Sequence, residues 1–585
     1  MINDAIMTPI ISFLAVVPYP DRSVRLRICD KNATIRKETL KMSNAMERFV
    51  VMRRKTIVGF FLAVASLQLT AETVEISTVA ALLSASASAS KDYVLMKSGS
   101  PYVLPTSTER AHKALWATFR LRGETGDPKD VQIVGNGNTI FYLGSASNVI
   151  SGITFTNGYA SALTPTLATK FPGGAMTIRN TDARGTVVSN CIFACNKSSN
   201  GGAVYFQGAV DDVVFDSCTF VGNVATNVGG AVGANVSAGG VATFRRCTFK
   251  DNAATKYAGA AYRVSCLTNC TFVGNSANDG GAVAYGDSVR NCVFRNNQAS
   301  NRGGAAHSNK LYGSLLEANS STLSGGGVYN CQMYGCTNIA SRCGGNGCEM
   351  ASSFAETCLF REAEPTNSSA KSIFASSALN RCRVEDVKLG WLASGTTSFT
   401  NTLFVRCGQT AGSTGVTYTY NPDTDGVRFI NCTIVSNLLS GCTAGGSSKK
   451  TTVFVNCLFY GNRFTSGTKD CDLGDRVAEM MGGCTNCIFA APSDKIIPGA
   501  GNYNYYADRA TFVPGFVGEA ADPLNPYALK RSAYGVKTMH GLVADWMTDA
   551  TDIRGEGFAR LREGVVDIGC YQCWIPMPGC ALIFR

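Results

Sequence analysis

Residues 269–306 read NCTFVGNSANDGGAVAYGDSVRNCVFRNNQASNRGGAA, and within them a Cys, a Phe, an Asn and a Gly-Gly-Ala come round again after 22 residues. A single reactive centre needs one constellation of different groups. A unit that stacks on copies of itself needs the same residues at the same offsets. The stretch therefore speaks first about architecture.

Seven copies align on Cys191, Cys218, Cys247, Cys270, Cys292, Cys432 and Cys457. Two residues after each stands Phe193, Phe220, Phe249, Phe272, Phe294, Ile434 or Phe459, and five after each stands Asn196, Asn223, Asn252, Asn275, Asn297, Asn437 or Asn462. Three before each is an apolar residue: Val188, Phe215, Phe244, Leu267, Val289, Phe429 or Phe454. A Cys and a Phe two apart share one face of a β-strand. Asn tolerates left-handed geometry at a corner, and its stacked amides can bond from coil to coil as a ladder.

A second marker recurs as Gly173-Gly174, Gly201-Gly202, Gly229-Gly230, Gly280-Gly281, Gly303-Gly304 and Gly325-Gly326, with Ala258-Gly259 once in its place. Successive markers lie 28, 28, 29, 22, 23 and 22 residues apart. A turn of that length with several short strands is one coil of a right-handed parallel β-helix, so the expected fold class is an all-β solenoid with an N-terminal helical cap and a small C-terminal cap. Taking residues 131–490 as the helix gives roughly 14 coils and a rod on the order of 65 Å at about 4.8 Å per coil. Leucine-rich and calcium-binding nonapeptide repeats want series that this chain lacks. Between 331 and 430 the markers weaken, which predicts irregular coils or a lateral insertion. Thr78 to Ala89 (TVAALLSASASA) reads as a short capping helix or as a linker.

Met52-Arg53-Arg54-Lys55 precedes the apolar run TIVGFFLAVASLQL, which ends before Glu72. A basic start, a run too short to span a bilayer and a small residue before a polar one predict a signal peptide over 52–71, with a buried helix and a membrane anchor as the competing readings. Residues 1–51 are then a misassigned or disordered extension. The further expected divisions are 72–130 as N-terminal cap and first coils, 131–490 as the β-helix, and 491–585 as a C-terminal cap or anchoring region. The formal charge is +11, but residues 1–55 hold 11 basic and 5 acidic residues, so the chain from Glu72 keeps 42 and 37, a net of +5 with no dense basic stripe. Nucleic acid is not an expected partner, no membrane span is expected in the mature chain, and the expected location is secreted or outer cell surface. Of 24 cysteines, 23 follow the leader. The stacked ones read as disulfides or as small buried hydrophobes.

The pairing of F-x-x-N (Phe220 to Asn223, Phe272 to Asn275) with G-G-A-V (Gly229 to Val232, Gly280 to Val283) resembles the repeats of the chlamydial polymorphic outer membrane proteins, over about residues 150–330 and again near 430–462. That resemblance implies a β-helical surface adhesin; the autotransporter barrel of that family is not recognised after the last repeat. Asp522-Pro523, Tyr527-Ala528-Leu529, Asp552, Gly555, Arg560 and Asp567-Ile568-Gly569-Cys570-Tyr571 look like the ending of secreted choice-of-anchor β-helix proteins, with Gln572 where a Glu is usual.

Asn180-Thr181-Asp182 and Asp211-Asp212 match the aspartate motifs of galacturonase-like hydrolases, but the accompanying G-H-G and R-I-K are missing. Asp182, Asp211 and Asp212 are thus candidate carboxylates for glycosidic hydrolysis, read against turn aspartates at coil corners. Asp545, Asp549 and Asp552 form the densest acidic cluster of the tail, weighed as a calcium site for a lyase. His307, directly after a Gly-Gly-Ala-Ala marker, reads as surface decoration. The pairs Cys484/Cys487 and Cys570/Cys573 lack zinc-ribbon spacing; Cys266 with Cys270, and Cys570 or Cys573 with Cys580, read as disulfide candidates. No cofactor and no metal ligand set is expected. The main expectation is a non-enzymatic exported protein for adhesion or for glycan or protein contact. The alternatives are a polysaccharide-degrading β-helix enzyme, hydrolase or lyase, and a structural envelope spacer.

Overall fold

The computed structural model describes residues 71–86, 91–106, 113–115, 118–144, 147–160, 173–179, 184–208, 212–235, 242–363, 372–388, 390–408, 416–420, 426–444, 452–464, 472, 481–491 and 499–573. The expected leader, apart from Ala71, lies outside the described residues. The chain divides into Met1–Ala71 and Glu72–Arg585, and the second unit carries the architecture that follows.

One coil shows the rule. Val213–Asp216, Thr219–Val221, Val224–Val228 and Val232–Ala234 follow one another as four short strands. Each pairs in parallel with its counterpart one coil later: Phe215 with Phe244, Phe220 with Phe249, Val224 with Ala253 and Val232 with Ala261. Repetition builds four faces, numbered I to IV in chain order within a coil. Face I has 17 strands and runs from Glu72–Ile76 to Met481–Thr485; face II runs from Tyr102–Val103 to Tyr503–Asn504; face III has seven strands, Lys197–Asn200 to Arg342–Cys343; face IV has 15, Lys113–Leu115 to Arg463–Phe464. The result is a right-handed parallel β-helix. Seventeen strands at about 4.8 Å measure about 77 Å along the axis, longer than the about 65 Å that residues 131–490 alone would give. The difference arises because parallel stacking starts at Glu72 and continues to Asn504.

The core is a set of columns. Phe193, Phe220, Phe249, Phe272 and Phe294 are each 0% exposed, and consecutive rings stack with centroids 4.7–4.8 Å apart and planes within 6°. The coil spacing thus equals the stacking distance of an aromatic pair, so each ring inside the column gains two partners, and Phe294, followed by Leu316, ends it. Beside them, the Cys191, Cys218, Cys247, Cys270 and Cys292 thiols are buried and turn back to backbone carbonyls, as from Cys218 to Val188 O at 3.4 Å and from Cys247 to Phe215 O at 3.4 Å. They pack as small weak donors.

The corner between faces II and III carries the amides. Asn196 donates from both its backbone N–H and Nδ2 to Asn223 Oδ1 at 3.0 Å, and the step repeats through Asn252, Asn275 and Asn297 to Asn319. These asparagines do not themselves adopt the left-handed conformation expected of them. The residue before each does: Cys195, Gly222, Asp251, Gly274 and Asn296 have φ between 54° and 65°. The amide is needed for its four hydrogen-bonding groups, and the bend is made one position earlier. The column returns at Asn437 and Asn462, and ends on Asp472, whose Oδ1 accepts from Asn462 Nδ2 at 2.8 Å. A carboxylate suits a terminus where no further coil asks for a donor.

The stretch 331–430, expected as irregular coils or an insertion, continues the parallel stack on faces I, II and IV. Its markers weaken because the ring column holds Asn338 and Val384, and the amide column holds Ser341, Ala363 and Val387. At the N-terminal end, helix α1 (Val79–Ser84) begins on Thr78, whose side chain accepts from Ala81 N, and buries Leu82 against the core. At the other end the tail lies along the outer side of face II. Ala528, Cys570 and Tyr571 pack on Leu403, Val405 and Val435, and Ile568 packs with Leu458 and Ile488.

Candidate functional site

Six successive face IV strands begin on an inward apolar residue, Val204, Val232, Ala261, Val283, Ala306 and Val328. The next residue faces outward, and the register lines up Tyr205, Gly233, Tyr262, Ala284, His307 and Tyr329 along the rod. Gly233 and Ala284 leave space in this row. Tyr285, left-handed at φ 58° just past its strand, sets its ring 5.8 Å from Tyr262 and 5.1 Å from His307. Tyr257, on the corner before face IV, closes the group at 5.4 Å from Tyr285 and 6.0 Å from Tyr262.

His307 stacks on Tyr329 at 5.2 Å with planes 15° apart, and its Nδ1 lies 3.1 Å from Ser308 Oγ. At 7% exposure it is not surface decoration, because rings from the coils on either side cover it. Burial pulls its pKa below the ordinary histidine value, against the opposing pull of the Asp279 carboxylate. The imidazole is therefore neutral at neutral pH and able to accept a proton. Burial pushes the Tyr205, Tyr262 and Tyr285 phenols up, which keeps them protonated donors. Asp279, itself buried, accepts from Asn301 Nδ2 at 2.9 Å and from Asn278 Nδ2 at 3.4 Å. Two cations flank the rings: Arg263 lies over Tyr262 at 5.2 Å, and Arg302 over Tyr329 at 4.9 Å. Flat rings that accept sugar faces, guanidinium groups that accept carboxylates, a neutral base and protonated phenols meet within three coil steps.

The sequence-predicted carboxylates are placed elsewhere. Asp182 and Asp211 lie outside the described residues; Asp212 is exposed, left-handed at φ 58°, in the turn that leads into face I. Asp552 is fully buried and bound by Arg554, while Gln572 N donates to it at 2.9 Å, so it ties the tail together. Asp549 lines a 440 Å³ pocket with Trp546, Glu356 and Arg381. Among the described residues no cluster of three or more His, Cys, Asp or Glu could hold a metal ion. Cys484, Cys487, Cys570 and Cys573 are buried, and Cys487 Sγ accepts from Cys457 N at 3.3 Å. The expected pairing of Cys266 with Cys270 is corrected: Cys266 faces outward beside Thr268 while Cys270 faces the core. Cys580 lies outside the described residues. The tyrosine and histidine row was missed from sequence, although aligning the position three after each second Gly would have exposed it.

No family model and no curated protein matches the chain. Among solved structures it is similar to a mutant of the PL6-family alginate lyase AlyGC, at 11% identity and TM-score 0.32, covering 66% of this chain and 51% of that one. It is also similar to a mannuronic acid specific polysaccharide family 6 lyase from human gut microbiota, at 12% identity, TM-score 0.24, and 75% and 92% coverage, and to a pectate lyase at 11%, 0.21, and 84% and 90%. The match thus spans about half the length of the first of these chains. At such identities the likeness is one of fold. The expectation of a non-enzymatic adhesion or contact protein is corrected at this point: the three solved chains just named are polysaccharide lyases, the class of the enzyme alternative.

Proposed function

We propose that this chain is a polysaccharide-degrading β-helix enzyme that cleaves an acidic polysaccharide laid along the outer side of face IV. The observation that carries the reading is His307, held neutral by burial between Tyr285 and Tyr329 with Arg302 and Arg263 beside the rings. In an eliminative cleavage, the Arg302 guanidinium, whose charge already acts on His307, takes the carboxylate of the reacting uronate and makes the adjacent carbon acid stronger, while Arg263 holds a carboxylate further along the polymer. The imidazole accepts the C5 proton, the C4–O bond breaks as the C4–C5 double bond forms, and a phenol such as Tyr285 returns a proton to the leaving oxygen. Hydrolysis instead asks for two available carboxylates about 5–9 Å apart, and Asp279 already accepts from two asparagines.

The same reading has residues 52–71 direct export and the F-x-x-N and G-G-A-V coils serve as scaffold. Residues 72–130 then form the first coils, 131–490 the main rod, and 491–585 the cap that holds the last coils and attaches the protein to its surface. No helix among the described residues is long and apolar enough to cross a membrane.

The test incubates the full chain with alginate, polygalacturonate and a neutral glucan, reading reducing ends and the ultraviolet absorbance of unsaturated uronate together. Both signals are expected on an acidic polymer alone, with a loss of about 100-fold or more in His307→Gln. Absence of new ends on every polymer, or cleavage that ignores His307→Gln, rejects the reading.

A further inference from the structure

The last strand of face III sits where the internal columns fail. Asn297 still donates to Asn319 Oδ1 at 2.9 Å. One coil later the ring column holds Asn338, and the amide column holds Ser341, whose hydroxyl donates to Asn338 Oδ1 at 2.6 Å. Glu349, 0% exposed, sets its carboxyl beside Ser341, and burial pushes its pKa well above the ordinary glutamate value. The ring stack has already ended one coil earlier, where Leu316 follows Phe294, and this coil loses the amide ladder as well and buries polar groups in its place.

At the same corner Cys343 and Cys348 bracket Gly344-Gly345-Asn346-Gly347. Both are 0% exposed, and their sulfurs face each other 2.6 Å apart. The short loop is shaped for this meeting. Gly347 is left-handed at φ 75°, and a Cβ on Gly345 would lie 1.8 Å from Leu323 O, so the chain is pressed onto the coil beneath while its ends converge. The repeat cysteines behave otherwise and turn to the carbonyls of the coil before, as Cys270 does to Phe244 O at 3.4 Å.

We infer that Cys343 and Cys348 are a disulfide site, a covalent staple that closes this corner where the stacked columns are interrupted. Oxidation joins the two sulfurs while the S–S bond of a disulfide oxidant such as oxidised glutathione breaks. The two protons and two electrons leave as two molecules of the reduced thiol. Both sulfurs are 0% exposed, so a soluble disulfide does not reach them in the folded coil. The exchange therefore belongs to folding, before the corner is covered.

The test refolds the full chain from reduced denaturant in a glutathione redox buffer, alkylates remaining thiols, and digests with trypsin and a glutamate-specific protease. Cleavage after Arg342 and Glu349 isolates both cysteines in one peptide, CGGNGCE. The expected peptide is unalkylated and lighter than its dithiol form by two hydrogens, while the Cys218, Cys247 and Cys270 peptides are alkylated. Thermal melts supply the second readout: reductant is expected to lower the wild-type midpoint and to leave that of the Cys343→Ser/Cys348→Ser variant unmoved. Recovery of Cys343 and Cys348 both alkylated, either of them linked to a third cysteine, or a wild-type midpoint indifferent to reductant overturns the inference. None of these readouts depends on polysaccharide cleavage.

Discussion

His307 and Glu349 are both withdrawn from water, and burial moves them in opposite chemical senses. It takes the proton from the imidazole and keeps it on the carboxyl, in each case favouring the neutral form. For His307 the consequence is catalytic. The acid limb of kcat/KM for polymer cleavage is expected below the ordinary histidine value of about 6.5, and a pH–rate profile with its acid limb at or above that value would contradict the neutral-base role. For Glu349 the consequence is stability. Its folded pKa is raised well above the ordinary glutamate value by burial, so its contribution is complete below the unfolded pKa of about 4.3. That contribution drains away as pH rises toward the folded pKa, since the unfolded chain releases the proton first. Thermal melts between pH 5 and pH 8 are therefore expected to show a falling midpoint that flattens in Glu349→Gln; an equal slope in both would place the lost proton elsewhere.

At the scale of elements, the repeated columns carry the fold, and each makes a measurable claim. Phe249 touches stacked rings above and below, so Phe249→Ala is expected to cost about 3–5 kcal/mol in denaturant unfolding. Asn252 donates to Phe220 O and Asn275 Oδ1 and accepts from Asn223 at both N–H and Nδ2. Asn252→Ala strands several buried groups at once and should cost about 2–4 kcal/mol. A loss under about 1 kcal/mol would mean that water replaces the ladder. Gly304 is bound by space alone, because a Cβ there would lie 2.1 Å from Gly326 O and 2.5 Å from Ser320 O. Gly304→Ala is expected to cost about 3 kcal/mol, since two backbones would have to part. These columns were legible in the sequence because stacking forces equivalent residues to be alike. Legible only at its own offset, three past each second Gly, is the chemistry of the outward row on face IV. There Tyr262, Ala284, His307 and Tyr329 share one offset but not one residue type, and the 22-residue periodicity that reveals the coil hides the differences within it. The inversion at the amide corner escaped for a related reason: sequence shows that Asn recurs, but not which of two adjacent residues takes the bend.

For the whole molecule, the rod converts sequence distance into a ruler. Tyr262, Ala284, His307 and Tyr329 are separated in sequence by 22 to 23 residues, yet they lie one coil apart, so the row covers three steps, about 14 Å. A polymer laid parallel to the axis would meet Tyr262 and Arg263 at one end, His307 in the middle, and Tyr329 with Arg302 at the other. Each ring contributes by stacking only when a sugar reaches it, and each guanidinium only when a carboxylate does. Affinity for acidic oligosaccharides should therefore climb with chain length until both arginines are engaged and then level off, whereas a ligand crossing the rod would gain nothing beyond the first sugars. Calorimetric titration of a length series against wild type, Arg263→Ala and Arg302→Ala separates the two geometries. For a ligand along the axis, removing either arginine should leave the shortest oligomers that still bind less affected than the long ones, and should move the plateau to a shorter length. Equal losses at every length would place the ligand across the rod.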